Sequence, residues 1–265
     1  MSDSAQEPPS YTEITVKDDG PVAVVHLDRP DKLNALTPAF WPQMRDALGR
    51  LEASGTTRAV VLTGAGDKAF SAGGDIAGFG ELDGPGARRA FQVDCLRTFA
   101  AVEDSALPVI AAVNGYAFGG GCELALACDL VIASERATFA MPESGIGLVP
   151  GFGVLRGPAV MGRHWTKWMV LAGERLDAAT AERVGLVQRV VAHDALLDEA
   201  VALGGRIARC APLAVRVGKE MINRGVDRGE FGHSLEAVTM LQGTADTAEG
   251  VAAFAEKRPP RFEGR

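Results

Sequence analysis

The stretch "GYAFGGGCELALACDL", residues 115–130, decides the fold. It passes through three consecutive glycines, Gly119, Gly120 and Gly121, into an apolar segment carrying one carboxylate, Glu123. The text leading into it, "LPVIAAVNG", is a short, continuous apolar run that suits a strand buried on both faces. After the glycines, "CELALACD" reads as a short helix and "LVIAS" as the next strand. Strand, glycine turn, helix, strand is the order of an α/β chain with parallel strands. The first N–H groups of such a helix lack internal partners and carry the positive end of its dipole. Glycine at that point lets an oxyanion come within hydrogen-bond range, which is one half of an oxyanion hole.

The flanking text fits the same pattern. "YTEITVKDDGPVAVVHLDRP" reads as a hairpin about an Asp-Gly turn. "TPAFWPQMRDALGRLEAS" reads as a helix with Thr37 as N-cap and Pro38 at its first position. "RAVVLTG" is a second buried strand, and "GARRAFQVDCLRTFAAVEDSA" a helix. Strand text ends near "GLVQRVV"; beyond it "DALLDEAVALGGRIARCA", "PLAVRVGKEMINRG", "RGEFGHSLEAVTMLQG" and "DTAEGVAAFAEKR" all read as helices. The expected organisation is a flexible tail over 1–10, an α/β core over 11–195 and a helical region over 196–265.

Composition narrows the function classes. A formal charge of −7 argues against a general nucleic-acid binder, which needs clustered Lys and Arg. No apolar run is long enough to span a membrane, and the polar start "MSDSAQEPPS" lacks the apolar region of a signal peptide. Cys95, Cys122, Cys128 and Cys210 form no C-x-x-C pair and sit in apolar text, as core thiols of a reducing compartment do. The four histidines show no metal-ligand spacing, and no G-x-S-x-G elbow is present. Gly64, Gly66 and Ala69 match the dinucleotide pattern G-x-G-x-x-[GA]. No helix opens there, so a tight turn is the expectation.

A second glycine turn stands in "FSAGGDI", residues 70–76, also at a strand end. Two such turns can converge on one carbonyl oxygen. Glu123 alone would be an ordinary dipole-compensating carboxylate of a first turn. Glu143, in the Pro- and Gly-bounded turn of "ATFAMPESGIGLVPG", alone would be a solvated loop acid. Beside an oxyanion hole the two make an acid/base pair, if the fold brings them together.

These blocks resemble the enoyl-CoA hydratase/isomerase (crotonase) superfamily. The likeness includes "LDRPDKLNALT", "FSAGGDI", "NGYAFGGGCELALACDLVIAS", "ATFAMPESGIGLVPG", "GLVQRVV" and "TADTAEGVAAFAEKRPPRFEG", in the family's order. The resemblance implies an α/β spiral of ββα turns, with C-terminal helices packing into a homotrimer or a dimer of trimers. It implies that Gly74 and Gly120 supply the two N–H groups that hold a thioester carbonyl. It implies that Lys32, Leu33, Ala35, Ala72, Asp75 and Ile76 contact coenzyme A, with no cofactor beyond that moiety of the substrate. Family hydratases carry glutamates where Glu123 and Glu143 stand, so hydration of a 2-enoyl-CoA by a cytoplasmic enzyme is the leading expectation. Double-bond isomerisation or other enolate chemistry on the same fold, and a non-catalytic RNA-binding or scaffold protein, are the alternatives. Where the family usually continues "IPGAGGTQRLPR", this chain reads "VPGFGVLRGPAVMGR". That loop is expected to support Glu143 and the acyl pocket, so its change bears on the substrate.

Overall fold

A computed structural model describes residues 10–18, 20–75, 84–224 and 244–265. The expected helix in "RGEFGHSLEAVTMLQG", most of the N-terminal tail and Ile76 lie outside the described residues. Among the described residues ten strands form two sheets. The larger has the order β1 (Ile14–Lys17), β2 (Val22–Leu27), β3 (Ala59–Gly64), β5 (Val109–Val113), β7 (Leu130–Ser134) and β10 (Arg189–Val191). The smaller has the order β4 (Ala69–Ser71), β6 (Tyr116–Phe118), β8 (Thr138–Ala140) and β9 (Leu176–Asp177). The expected hairpin is β1–β2, antiparallel with Ile14 opposite Leu27. From β2 to β10 the larger sheet is parallel.

From β3 to β8 successive strands alternate between the sheets, and a helix or 3-10 turn follows each pair. β3 and β4 lead to α2 (Gly84–Glu103), and β5 and β6 to α3 (Gly120–Ala127). β7 and β8 lead to a 3-10 turn at Glu143–Ile146, then to α4 (Gly153–Val160) and α5 (Gly162–Ala172). This is the expected spiral of ββα turns. Both faces of the larger sheet are covered, which is why its strands read as unbroken apolar runs. Val60, Leu62, Val109, Ala111, Val131 and Ala133 face the main core. Their alternate neighbours Val61, Ile110, Ala112 and Ile132 pack on the other side with Leu196 and Ala200 of α7 (Leu196–Ala208). The remaining helices are α1 (Phe40–Ser54), α6 (Ala178–Arg183), α8 (Pro212–Arg224) and α9 (Ala245–Glu256).

Two local expectations are corrected. Helix α1 begins at Phe40, not at Pro38. The Thr37 hydroxyl accepts from Ala39 N–H (3.2 Å) and the Thr37 carbonyl from Phe40 N–H (3.1 Å), so the chain makes a separate turn first. Pro42 then takes the third helical position, where an N–H has no intrahelical partner to lose. Among the cysteines, Cys95 and Cys122 are buried as expected, but Cys210 is exposed just beyond α7. The Gly64–Gly66 segment is the expected tight turn. Asn114 closes it, donating to the Gly64 and Gly66 carbonyls at 3.0 and 2.7 Å.

Candidate active site

The spiral brings the two glycine turns side by side. Leu36 and Gly74 form a lone parallel bridge, in which Leu36 N–H donates to the Gly73 carbonyl (2.8 Å) and Asp75 N–H to the Leu36 carbonyl (2.9 Å). Those bonds use the peptide groups on either side of Gly74. The Gly74 N–H itself has no acceptor among the described residues. Gly120 is the first residue of α3, so its N–H also has no intrahelical partner. The turns approach so closely that a Cβ on Gly73 would lie 3.2 Å from Gly120 N and 2.6 Å from the Phe118 carbonyl oxygen. Gly73 has φ of +92° and Gly119 of +51°, values that disfavour a side chain at either place.

Helix α3 is apolar on nearly every side, because it runs through the core, and Glu123 is its one carboxylate. It makes no capping box. Its Oε1 instead accepts from the N–H groups of Phe152 (2.8 Å) and Gly153 (2.9 Å), where α4 begins. Its Oε2 has no hydrogen-bond partner and is not among the fully buried polar atoms. Burial pushes the Glu123 carboxyl above its ordinary value, and the Gly153 and Phe152 N–H groups pull it back.

Glu143 opens the 3-10 turn after β8, which the Ser144 hydroxyl anchors to the Val170 carbonyl at 2.8 Å. The carboxyl lies against the glycine turn, where a Cβ on Gly119 would meet its Oε1 at 2.9 Å. Its Oε2 is buried with no hydrogen-bond partner. Burial pushes the Glu143 carboxyl up to about 7, opposed by its own backbone N–H and helped by the charge of Glu123. Gly74, Gly120, Glu123 and Glu143 all line one cleft of about 840 Å³.

The expected coenzyme A positions form a strap beside the first glycine turn. Leu33 takes its carbonyl to Ala72 N–H (2.9 Å), and Lys32 ends the 3-10 turn Pro30–Lys32. Arg29 ties the strap to the turn, donating to the Ala35 carbonyl (2.8 Å) and to Asp75 Oδ2 (3.2 Å). Buried Asn34 holds the strap from beneath through the Ala65 and Ala69 carbonyls, at 3.0 and 2.8 Å. Of the described members of this group, only Ala72 lines the cleft.

One expectation about the altered loop is corrected. Phe152 and Gly153 support Glu123, not Glu143. They do so through backbone N–H groups, so a changed side-chain sequence leaves the contact intact. These donors were not legible in the sequence; the nearest signal was the Pro-Gly-Phe-Gly run at 150–153. Among the described residues no group of His, Cys, Asp and Glu could hold a metal ion, and no helix is long and apolar enough to cross a membrane.

The family model described as enoyl-CoA hydratase/isomerase matches residues 17–265. A crotonyl-CoA hydratase of Syntrophomonas wolfei is 37% identical over 96% of this chain and 98% of its own. A short-chain-enoyl-CoA hydratase of Clostridium acetobutylicum is 38% identical over 95% of this chain and 97% of its own. The crystal structure of an enoyl-CoA hydratase from Bacillus anthracis superposes with a TM-score of 0.92 at 35% identity, covering 96% of this chain and all of that one. The chain belongs to the enoyl-CoA hydratase/isomerase family.

Proposed function

We propose that this protein hydrates the 2,3 double bond of a 2-enoyl-CoA to give a 3-hydroxyacyl-CoA. The observation that carries the proposal is two carboxylates of different character on one cleft with two unpaired N–H groups. The thioester carbonyl oxygen accepts from Gly74 and Gly120 N–H. Glu123 is the ionised partner, because two N–H groups at the start of α4 stabilise its charge. Glu143 is the protonated partner, because burial pushes its carboxyl up to about 7.

A water between them loses a proton to Glu123 Oε2 and its oxygen bonds to C3. The π electrons of the double bond move toward C2 and the carbonyl, whose oxygen becomes an enolate held by the two N–H groups. The Glu143 carboxyl then delivers its proton to C2, and the carbonyl reforms. Each N–H donor contributes about 3 kcal/mol to the barrier reduction. The acid/base pair contributes a factor of about 100 to 10,000. The thioester itself makes C2 able to carry charge, so the coenzyme A moiety is the only accessory group in the reaction.

The same reading takes Lys32, Leu33, Ala35, Ala72, Asp75 and Ile76 as coenzyme A contacts. It takes 11–195 as the spiral that carries the site and 196–265 as the region through which a cytoplasmic homotrimer or dimer of trimers assembles. The names of the hydratase relatives support hydration over isomerisation. The test is chemical: crotonyl-CoA incubated with the protein gives 3-hydroxybutyryl-CoA. Formation of a shifted enoyl isomer without hydroxyacyl product would refute the hydratase reading.

A further inference from the structure

The cleft is much larger than the reacting atoms need, and its extra space lies on one side. Lys32, Leu33, Ala35 and Asp75, the strap beside the first glycine turn, do not line it. Beyond the two glutamates its wall is Trp41, Phe91, Cys95, Leu96, Phe99 and Phe152. That apolar wall belongs to the acyl side of the carbonyl site, within a cleft of about 840 Å³. A four-carbon acyl group fills a small part of that.

The wall has a closed floor and an open rim. Trp41, Phe99 and Phe152 are buried; Trp41 meets Phe99 edge to face with ring centroids 5.6 Å apart, and Phe99 meets Phe152 at a tilt at 5.3 Å. At the rim Leu96 is 39% exposed, Leu148 44% and Val149 61%, and all three also line the cleft. Apolar side chains left in water along one side of a cleft mark a surface that a ligand covers.

We propose that the site prefers medium-chain 2-enoyl-CoAs, of about eight to ten carbons, to the four-carbon substrate, because each added methylene leaves water against an apolar wall. The tail passes over the aromatic floor and leaves across Leu96, Leu148 and Val149. This specificity rests on the hydratase reading of the same cleft and goes past what the crotonyl and short-chain names of the relatives say.

The experiment compares kcat/KM for crotonyl-, 2-octenoyl- and 2-decenoyl-CoA, each read as 3-hydroxyacyl-CoA formed. Each fully buried methylene is worth about a fourfold gain. The expected result is a rise of at least about tenfold from crotonyl to decenoyl, below the full product because the tail is partly wet at the rim. Leu96→Asn and Val149→Asn should each lower the decenoyl-to-crotonyl ratio, which is read within one preparation and so is independent of the folded fraction. Equal or poorer use of decenoyl-CoA, or variants that keep the wild-type ratio, overturns the specificity while crotonyl hydration still upholds the activity. Hydration of none of the three overturns the activity and the specificity together.

Discussion

The convergence of the two glycine turns can be tested by wedging them apart. In Gly73→Ala the new Cβ would lie 2.6 Å from the Phe118 carbonyl oxygen and 3.2 Å from Gly120 N. Both are backbone atoms, so no side-chain rotation relieves the contact. The φ of +92° adds backbone strain of about 1–3 kcal/mol for a residue with a Cβ. The cheapest relief moves the Gly120 turn away from Gly74, so one oxyanion cannot reach both N–H groups. Loss of one such donor costs about 2.7–4 kcal/mol, or a factor of about 100 to 1,000 in kcat. Steady-state hydration of crotonyl-CoA, with thermal unfolding as a fold check, should show that fall in kcat with a much smaller change in KM. Gly49→Ala is the control. That helix glycine has nothing within 4 Å of a new Cβ, so kcat should hold and stability should rise by about 0.5–1 kcal/mol. A folded Gly73→Ala protein with kcat within about threefold of wild type would refute the two-donor geometry.

Three further outcomes follow from buried charge. Between pH 4.5 and about 7 the unfolded chain has lost the Glu143 proton while the folded chain keeps it. The group therefore favours the fold fully below 4.5 and loses that contribution as pH rises through about 7. Glu143→Gln should melt above wild type at pH 8, with the gap closing toward pH 4.5 in a thermal-unfolding series. In wild type, kcat/KM for hydration should decline above about pH 7 as the proton donor ionises, and a flat profile to pH 9 would contradict its assigned role. Lys219 of α8 reaches Asp129 at 2.8 Å and the Leu107 carbonyl at 3.1 Å, pinning α8 to the edge of the core. With both side chains mostly buried, Lys219→Met should cost about 3–5 kcal/mol by stranding the carboxylate, and adding Asp129→Asn should recover part of it in denaturant unfolding.

The larger sheet was legible because burial on both faces leaves an unbroken apolar signature, as in "AVVLTG" and "VIAAV". The smaller sheet was not legible from pattern. Its strands, such as "AFS", "YAF" and "TFA", are three residues long and show no periodicity to read. Only the family resemblance implied them. The site divides in the same way. The two glycine turns and the carboxylates Glu123 and Glu143 stood out as residue types, while only the family resemblance singled out Gly74 and Gly120 as the donors. Which oxygen of Glu123 is held, and by what, depends on backbone N–H groups at 152 and 153 that carry no side-chain signal. The aromatic floor was equally hidden. Trp41, Phe99 and Phe152 come from three separate elements, and only packing shows that they meet.

The central claim is that Glu123 and Glu143 act together on one substrate. Crotonyl-CoA hydration by wild type, Glu123→Gln and Glu143→Gln, quantified as 3-hydroxybutyryl-CoA, tests it most directly. The account predicts an active wild type and a fall of about two or more orders of magnitude in kcat for each variant, with the fold retained. A folded variant at either position that keeps kcat near the wild-type value would contradict it.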